Sequence, residues 1–303
     1  MSGRGLFCSP HAIELKKRKD RSSGARRINL MAPLKSAAPF LLRKIGLCIP
    51  VTSPTFFGRR MKVVIPEMVS VAIWRDGYFE EDVCTYLLAL LGPGDGFIDI
   101  GGHFGFFSML ARELVGEQGT VVTFEPMPST RKLLLENMND HAIHSKLHVI
   151  PAAAGATPGK LKFKDFGLTG SAFATSQTQR NTSVKLRGEV DVEVRTVDSV
   201  VEDLGITSLQ LIKIDAENAE YDVVQGSLQT LRRLRPSIIL EAGDIGDGDT
   251  GTRRVVDLVM SQGYEPFEFR DWSLCPHKVT QHYGYQNLLM VPIEKAREML
   301  ATA

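Results

Sequence analysis

The stretch FIDIGGHFG, residues 97–105, decides how the chain folds. A short apolar run carrying one carboxylate, Asp99, passes directly into a glycine pair, a histidine, an aromatic and a third glycine. FIDI has the length and composition of a buried strand. Phe104 to Val115 carries the apolar spacing of a helix, which Gly116 ends. A strand that turns through glycines into a helix opens a sheet wound on both faces. In such sheets ligands bind at the carboxyl ends of the strands, where the strand order reverses. Gly101, Gly102 and Gly105 allow close approach of the backbone to a ligand.

Outward from this unit the alternation continues. TVVTFE (120–125) predicts the next strand and 129–139 the next helix, with Ser129 as its N-cap. LHVIPAA (147–153) predicts a third strand. LKFKDF and EVDVEVRTV then alternate with period two and frame a polar stretch, residues 167–188, which predicts an inserted antiparallel pair carrying a loop. Strand–helix order resumes with LQLIKIDA (209–216), a helix over 219–234, SIILEAG (237–243) and a helix over 252–262. YEPFEF (264–269) and NLLMVP (287–292) read as two strands with no helix between them. The pattern predicts an α/β, doubly wound, mostly parallel sheet with one antiparallel strand near the C-terminus.

Upstream, residues 80–91 predict a helix stopped by GPGDG. MKVVIPEMVSVAIW (61–74) reads as a hairpin or two strands, and the proline-bearing residues 31–60 as short helical or irregular pieces. Residues 1–30 hold seven Lys or Arg between Lys16 and Arg27 with no apolar core after that charge. That predicts a basic, unordered tail rather than a signal peptide, with a transit peptide or an anionic-surface anchor as alternatives. The expected division is tail 1–30, helical and hairpin segment 31–91, main domain 92–293 and C-terminal tail 294–303.

With 36 Lys and Arg against 35 Asp and Glu over 303 residues, the net charge of +1 argues against a general nucleic-acid binder. No apolar run reaches the roughly 18 residues of a membrane helix. Cys8, Cys48, Cys84 and Cys275 are far apart, without metal-ligand or disulfide-framework spacing. Reduced thiols in a cytoplasmic protein are the expectation.

Asp99 bears on the ligand. A carboxylate beside the glycine turn repels a diphosphate by about 1 to 4 kcal/mol at short range, and attracts an ammonium, directly or through water. S-adenosylmethionine offers an ammonium and a sulfonium and no phosphate, so the turn suits it better than NAD. The spacing also departs from GxGxxG. Glu125 ends the next strand, where a carboxylate accepts both ribose hydroxyls. Met127 and Pro128 are set to line the adenine, and Ala152 and Ala153, closing the third strand, let it lie against backbone or simply pack. Pro126 joins Met127 and Ala153 among the cofactor-binding candidates. A purely structural glycine turn and a rigid Met-Pro turn are the alternatives. Asp215, Glu217 and Glu220 follow the fourth strand. They could bind a divalent metal, orient a substrate hydroxyl or deprotonate it, although acids also gather at helix N-termini for electrostatic reasons. Phe79, Glu80 and Glu81 are candidates to close the other side of the cofactor. The loop over 167–188 is a candidate cover for the acceptor, with Gly170 and Ser171 at the mouth, or else a solvent loop.

Taken together, GDGFIDIGGHFGFFS (94–108), VVTFEPMPS (121–129), the AAAG after the third strand, RTVDSVVED (195–203), LIKIDAENAEYDVVQGS (211–227), PSIILE (236–241) and NLLMVP resemble the FkbM family of S-adenosylmethionine-dependent methyltransferases over roughly residues 92–292. The resemblance implies a seven-stranded, Rossmann-like class I methyltransferase fold. It also implies methyl transfer to a hydroxyl oxygen of a sugar, glycan or polyketide-type natural product. By position, Asp99, Gly101 and Gly105 belong to the cofactor turn and Glu125 to the ribose, while Asp215, Glu217 and Glu220 match the family's D-x-E-G-x-E block. The chain departs from the family at Gly102 and His103, where the turn reads DIGANIG, and at Asn218, where glycine is usual. Asparagine tolerates left-handed backbone. His103 is expected to donate a hydrogen bond to the methionine carboxylate, with a general base as the alternative. Asp215 is the first candidate to accept the hydroxyl proton and Glu220 the second. Two rivals stand beside this reading: a nicotinamide-dependent oxidoreductase, and a catalytically silent nucleoside-binding module whose basic tail meets anionic membrane or RNA.

Overall fold

Strand alternation divides the apolar residues of the central sheet between two faces, and each face gathers its own helices. The computed structural model describes residues 10–24, 32–45, 47–139, 145–168, 186–244, 251–270 and 273–301. In chain order the elements begin with α1 (Pro10–Gly24), α2 (Ala32–Ile45), β1 (Ile49–Pro54), β2 (Arg60–Ile65), α3 (Met68–Asp76) and α4 (Glu81–Leu90). There follow β3 (Gly96–Ile100), α5 (Phe106–Val115), β4 (Thr120–Phe124), α6 (Pro128–Met138), β5 (Lys146–Ile150), β6 (Ala152–Ala154), β7 (Gly159–Asp165) and β8 (Gly188–Arg195). Then come α7 (Val197–Asp203), β9 (Leu211–Ile214), α8 (Glu220–Gln225), α9 (Leu228–Leu234), β10 (Ser237–Ala242), α10 (Gly251–Ser261), β11 (Tyr264–Arg270), β12 (Ser273–Pro276), β13 (Gln286–Pro292) and α11 (Ile293–Ala301).

The large sheet runs β12-β11-β13-β10-β9-β3-β4-β5. Strands β5, β4, β3, β9 and β10 are parallel, and β13 is antiparallel to both β10 and β11. Seven of these strands are the expected ones. The eighth, β12, adds an edge hairpin to β11 and is a second antiparallel strand. Four residues, SLCP, are too short to show a period. Phe97, Val121, Leu211, Ile239 and Leu289 point to one face, where they pack with α4, α5, α6 and the β1–β2 hairpin. Ile98, Val122, Ile212, Ile238 and Leu240 point to the other, against α7 to α10.

Several sequence expectations are corrected. Residues 10–24 form a helix rather than an unordered tail. Ala12 and Leu15, three apart on one helical face, are buried, and Lys19 pairs with Glu81 at 2.9 Å. The second strand expected within 61–74 is instead α3. Its β-branched run reads as strand, but the Glu67 carboxylate accepts the N–H groups of Val69 and Ser70 at 2.9 and 2.6 Å and caps a helix there. Within 31–60, expected to hold short helical or irregular pieces, α2 is the helical piece, and β1, paired with β2, is a strand that the expectation lacked. Helix α6 starts at Pro128, not Ser129, because proline is preorganised for the first turn. The third strand stops at Ile150, and Ala152–Ala154 joins a separate sheet of order β6-β8-β7. The helix over 219–234 is two helices, broken at Gly226. That glycine passes so close to Gly155 that a Cβ would lie 2.0 Å from the Gly155 carbonyl oxygen. The expected antiparallel pair is β7–β8. Gly170 and Ser171 lie outside the described residues.

Candidate functional site

Between β3 and β9 the chain order of the sheet reverses, and a cavity of about 620 Å³ opens at the carboxyl ends of these strands. Its floor follows from register. Asp99 pairs with Thr123 on one side and Lys213 on the other. The face that is apolar at Phe97, Val121 and Leu211 therefore turns polar two residues later. A further two residues on it is acidic, at Glu125, Asp215 and Glu241 (strand period two).

The glycine turn is held by the carbonyl of Phe124, which accepts the N–H groups of Gly101 and Gly102 at 3.1 and 2.9 Å. Gly101 has φ +79°, and a Cβ there would meet the Asp215 carbonyl oxygen at 2.1 Å. At Gly102 a Cβ would meet Thr123 Cγ2 at 2.1 Å. The departure from the family's alanine is thus matched by the threonine on the neighbouring strand. Gly105 takes up the N-cap of α5 with φ +92° and does not line the cavity.

Asp99 does not line the cavity either. It is buried beneath the turn, where Ser108 Oγ donates to its Oδ2 at 2.5 Å and shares a 2.7 Å hydrogen bond with Thr123 Oγ1. Its Oδ1 is buried without a hydrogen-bond partner among the described residues. Burial raises its pKa, against the opposing pull of Lys213. His103 lines the cavity with φ +50°, its ring 3.9 Å from that of Phe104. Burial lowers its pKa, which favours the neutral imidazole. Its backbone N–H donates to Glu125 Oε2 at 3.0 Å, and Met127 N–H donates to Oε1 at 2.8 Å. Each Glu125 oxygen keeps a second lone pair, so the carboxylate is oriented to accept a pair of adjacent hydroxyls. Burial raises its pKa to about 8. Phe124, Pro126, Met127 and Ala153 line the same end of the cavity.

The other end is a carboxylate cluster around one buried cation. Lys213, 2% exposed, places Nζ 2.8 Å from Asp215 Oδ2 and 5.1 Å from the centre of the Phe107 ring. Burial disfavours its charge, but Asp215, Asp99 and Glu80 outweigh that and keep it protonated. For Asp215, burial favours the neutral form, yet Lys213 and a hydrogen bond from Glu241 win and hold its pKa below the usual range. Glu241 is raised to about 10, first by burial and then by Asp215. The pair therefore holds one proton at neutral pH. Glu80, at φ +44°, is raised to about 7, chiefly by burial. Its Oε1 accepts the Tyr285 hydroxyl, and its Oε2 is buried without a hydrogen-bond partner among the described residues.

The structure brings Asp215, Glu217 and Glu220 together on the cavity wall. Glu217 and Asn218 both adopt left-handed backbone, at φ +52° and +75°, so asparagine serves where the family has glycine. Glu220 Oε1 accepts the N–H groups of Ala216 and Asn218 at 3.0 and 3.2 Å and thereby braces this turn. Among the described residues no group of three or more His, Cys, Asp or Glu is placed to hold a metal ion. Phe79 and Glu80 line the cavity, whereas Glu81 faces Lys19. Lys213, Glu241 and Tyr285 are absent from the sequence-derived site. A lysine inside the apolar run LIKI, and an acid ending SIILE as Glu125 ends TVVTFE, were readable signals for the first two. Tyr285 had none.

An oriented carboxylate for a vicinal diol, an apolar slot beside it, and a buried carboxylate oxygen under a glycine turn, without a hydrogen-bond partner among the described residues, fit S-adenosylmethionine. The model of the Methyltransferase FkbM domain matches residues 99–284. "Methyltransferase 1" of Beauveria bassiana is 27% identical over 197 residues, covering 60% of this chain and 77% of that protein. "2-O-methyltransferase NoeI" of Sinorhizobium fredii is 28% identical over 153 residues, 46% of this chain and 60% of NoeI. "31-O-demethyl-FK506 methyltransferase FkbM" of Streptomyces tacrolimicus is 25% identical over 197 residues, 57% and 74% of the two chains. The chain belongs to the FkbM family of methyltransferases, and its cofactor is S-adenosylmethionine.

Proposed function

We propose that the protein methylates a hydroxyl oxygen of a small molecule, of the sugar, glycan or natural-product class. The observation that carries this reading is the acidic end of the cavity. Glu80, with a pKa of about 7 and an oxygen without a hydrogen-bond partner among the described residues, sits with the Lys213–Asp215–Glu241 cluster opposite the nucleoside end. An alcohol needs a proton acceptor near the transition state, and an acceptor is most effective when its pKa lies near the working pH. Two relatives bear names that specify oxygen as the methylated atom, which supports the reading.

When bound, S-adenosylmethionine supplies an electrophilic methyl group on a sulfonium. The remaining work falls to the chain's own residues. Glu125, Met127 and Ala153 hold the nucleoside, and the Gly101–His103 backbone holds the amino-acid end. Asp99 contributes negative potential from beneath. His103 orients the methionine carboxylate as a neutral hydrogen-bond donor. Asp215, pinned by Lys213 and Glu241, accepts a hydrogen bond from the substrate hydroxyl and orients it. Glu80 takes the proton in place of Asp215, the first candidate, and Glu220, the second, because Asp215 is too weak a base and Glu220 is committed to its turn. Glu217 borders the acceptor.

The test is transfer of labelled methyl from the donor into a hydroxylated metabolite extract, with the product's linkage read by NMR. A methyl ether is the expected outcome. Label found only on nitrogen, or no transfer to any fraction, overturns the reading.

A further inference from the structure

The near-zero net charge conceals a strong division. The first 66 residues carry 14 Lys and Arg against two Asp and Glu, a net +12. The remaining 237 carry 22 against 33, a net −11. No acidic residue occurs from Arg21 to Pro66.

The same stretch exposes apolar surface. Phe40 is 74% exposed, Leu41 58%, Ile45 55%, Leu47 55% and Ile49 43%, all within ten residues of sequence. Helix α2 is fixed in this orientation. Leu42 packs against the core, and Arg43 Nη2 donates to the Pro66 carbonyl at 3.2 Å. Positions 40, 41, 44 and 45 share one helical face, so exposed Lys44 lies among Phe40, Leu41 and Ile45. Helix α2 packs on α3, whose first residue, Met68, is half exposed and lines the cavity.

A contiguous exposed apolar patch marks an interaction surface. The cationic excess of this stretch of sequence, with exposed Lys44 inside the patch, selects an anionic partner. Most of the exposed side chains are aliphatic, which suits the headgroup–acyl boundary of a bilayer. Nucleic acid is met instead by polar donors to phosphate and by aromatic stacking platforms. We propose that α2 and the segment entering β1 dock in the plane of an anionic lipid bilayer, with Phe40, Leu41 and Ile45 inserted and Arg43 and Lys44 on the headgroups. No helix among the described residues is long and apolar enough to cross a membrane, and the proposed docking is a surface contact. The docking stands independently of the methyl-transfer reading.

The experiment is co-sedimentation of the full chain with phosphatidylcholine vesicles, with and without phosphatidylglycerol. Partitioning onto the anionic vesicles should be at least about tenfold stronger and should weaken as salt rises. The double variant Phe40→Glu/Leu41→Glu should lose at least about tenfold, and Lys44→Gln a few-fold. Both should keep the wild-type melting temperature and S-adenosylhomocysteine binding. Equal partitioning onto both vesicle types, or unchanged partitioning of the double variant, overturns the proposal. So does tight RNA binding without vesicle binding. A dimer that the double variant converts to monomer also overturns it, and assigns the patch to a second copy of the chain.

Discussion

Lys213 controls the ionisation of the acidic end of the site, because it is the cation against which Asp99, Asp215 and Glu80 are all set. Glu80 is left at about 7 by the balance of burial against that cation. A Glu80→Gln variant should therefore lower kcat about a hundredfold or more. It should also flatten the rise of kcat/KM through pH 7, with cofactor affinity kept within a few-fold. A pH–rate profile that retains its limb near 7 removes Glu80 as proton acceptor. Lys213→Met leaves Asp99 and Asp215 without their counter-charge. It should abolish turnover and weaken cofactor binding, measured by calorimetry, even in protein whose circular dichroism matches wild type. Glu125 makes a separate prediction. Its folded pKa of about 8 exceeds the ordinary value of 4.5, so the folded cofactor-free protein binds the extra proton. Stability from this group is full below pH 4.5 and is lost as pH rises through 8. Glu125→Gln mimics the protonated form. It should match wild type in melting temperature near pH 5 and exceed it near pH 9, by a difference of about 2 to 4 kcal/mol in stability. Equal melting at both pH values contradicts the shifted carboxyl.

At the scale of elements, local propensity lost wherever a cap or a tertiary neighbour supplied a stronger term. The run from Met68 to Trp74 has a β-branched residue at every second position, yet the Glu67 carboxylate on two N–H groups makes it helical. The basic segment 10–24 carries high charge, yet two apolar residues three positions apart, Ala12 and Leu15, find a place in the core. Leu15 is fully buried there, so Leu15→Ala should cost about 2 to 4 kcal/mol in chemical denaturation, as for other core leucines. A cost below about 0.5 kcal/mol would mean that α1 is not docked in solution. The glycine turn and the strands around it were legible because each rests on a local rule, such as positive φ or strand period. The break between α8 and α9 was not, because it depends on the passage of Gly155, 71 positions away in sequence.

On the scale of the whole molecule, ligand choice follows from the charge around the strand-order reversal. A dinucleotide would set its diphosphate over Asp99, Asp215 and Glu80, whereas S-adenosylhomocysteine brings an ammonium. At a hundred times its dissociation constant a ligand adds about 2.7 kcal/mol to folding, so a thermal shift with S-adenosylhomocysteine and none with NAD is the expected result. A shift with NAD alone would exclude the charge argument. The amino-acid sequence by itself determined the strand–helix succession, the glycine turn and the acids at strand ends, because period, glycine freedom and strand polarity are properties of neighbours along the chain. Tertiary structure alone decided which acid stays protonated, because that depends on burial and on one lysine delivered by an adjacent strand. It alone also decided that α1 joins the core and that α2 is left with an apolar face outward, since only packing determines which side of a helix meets water.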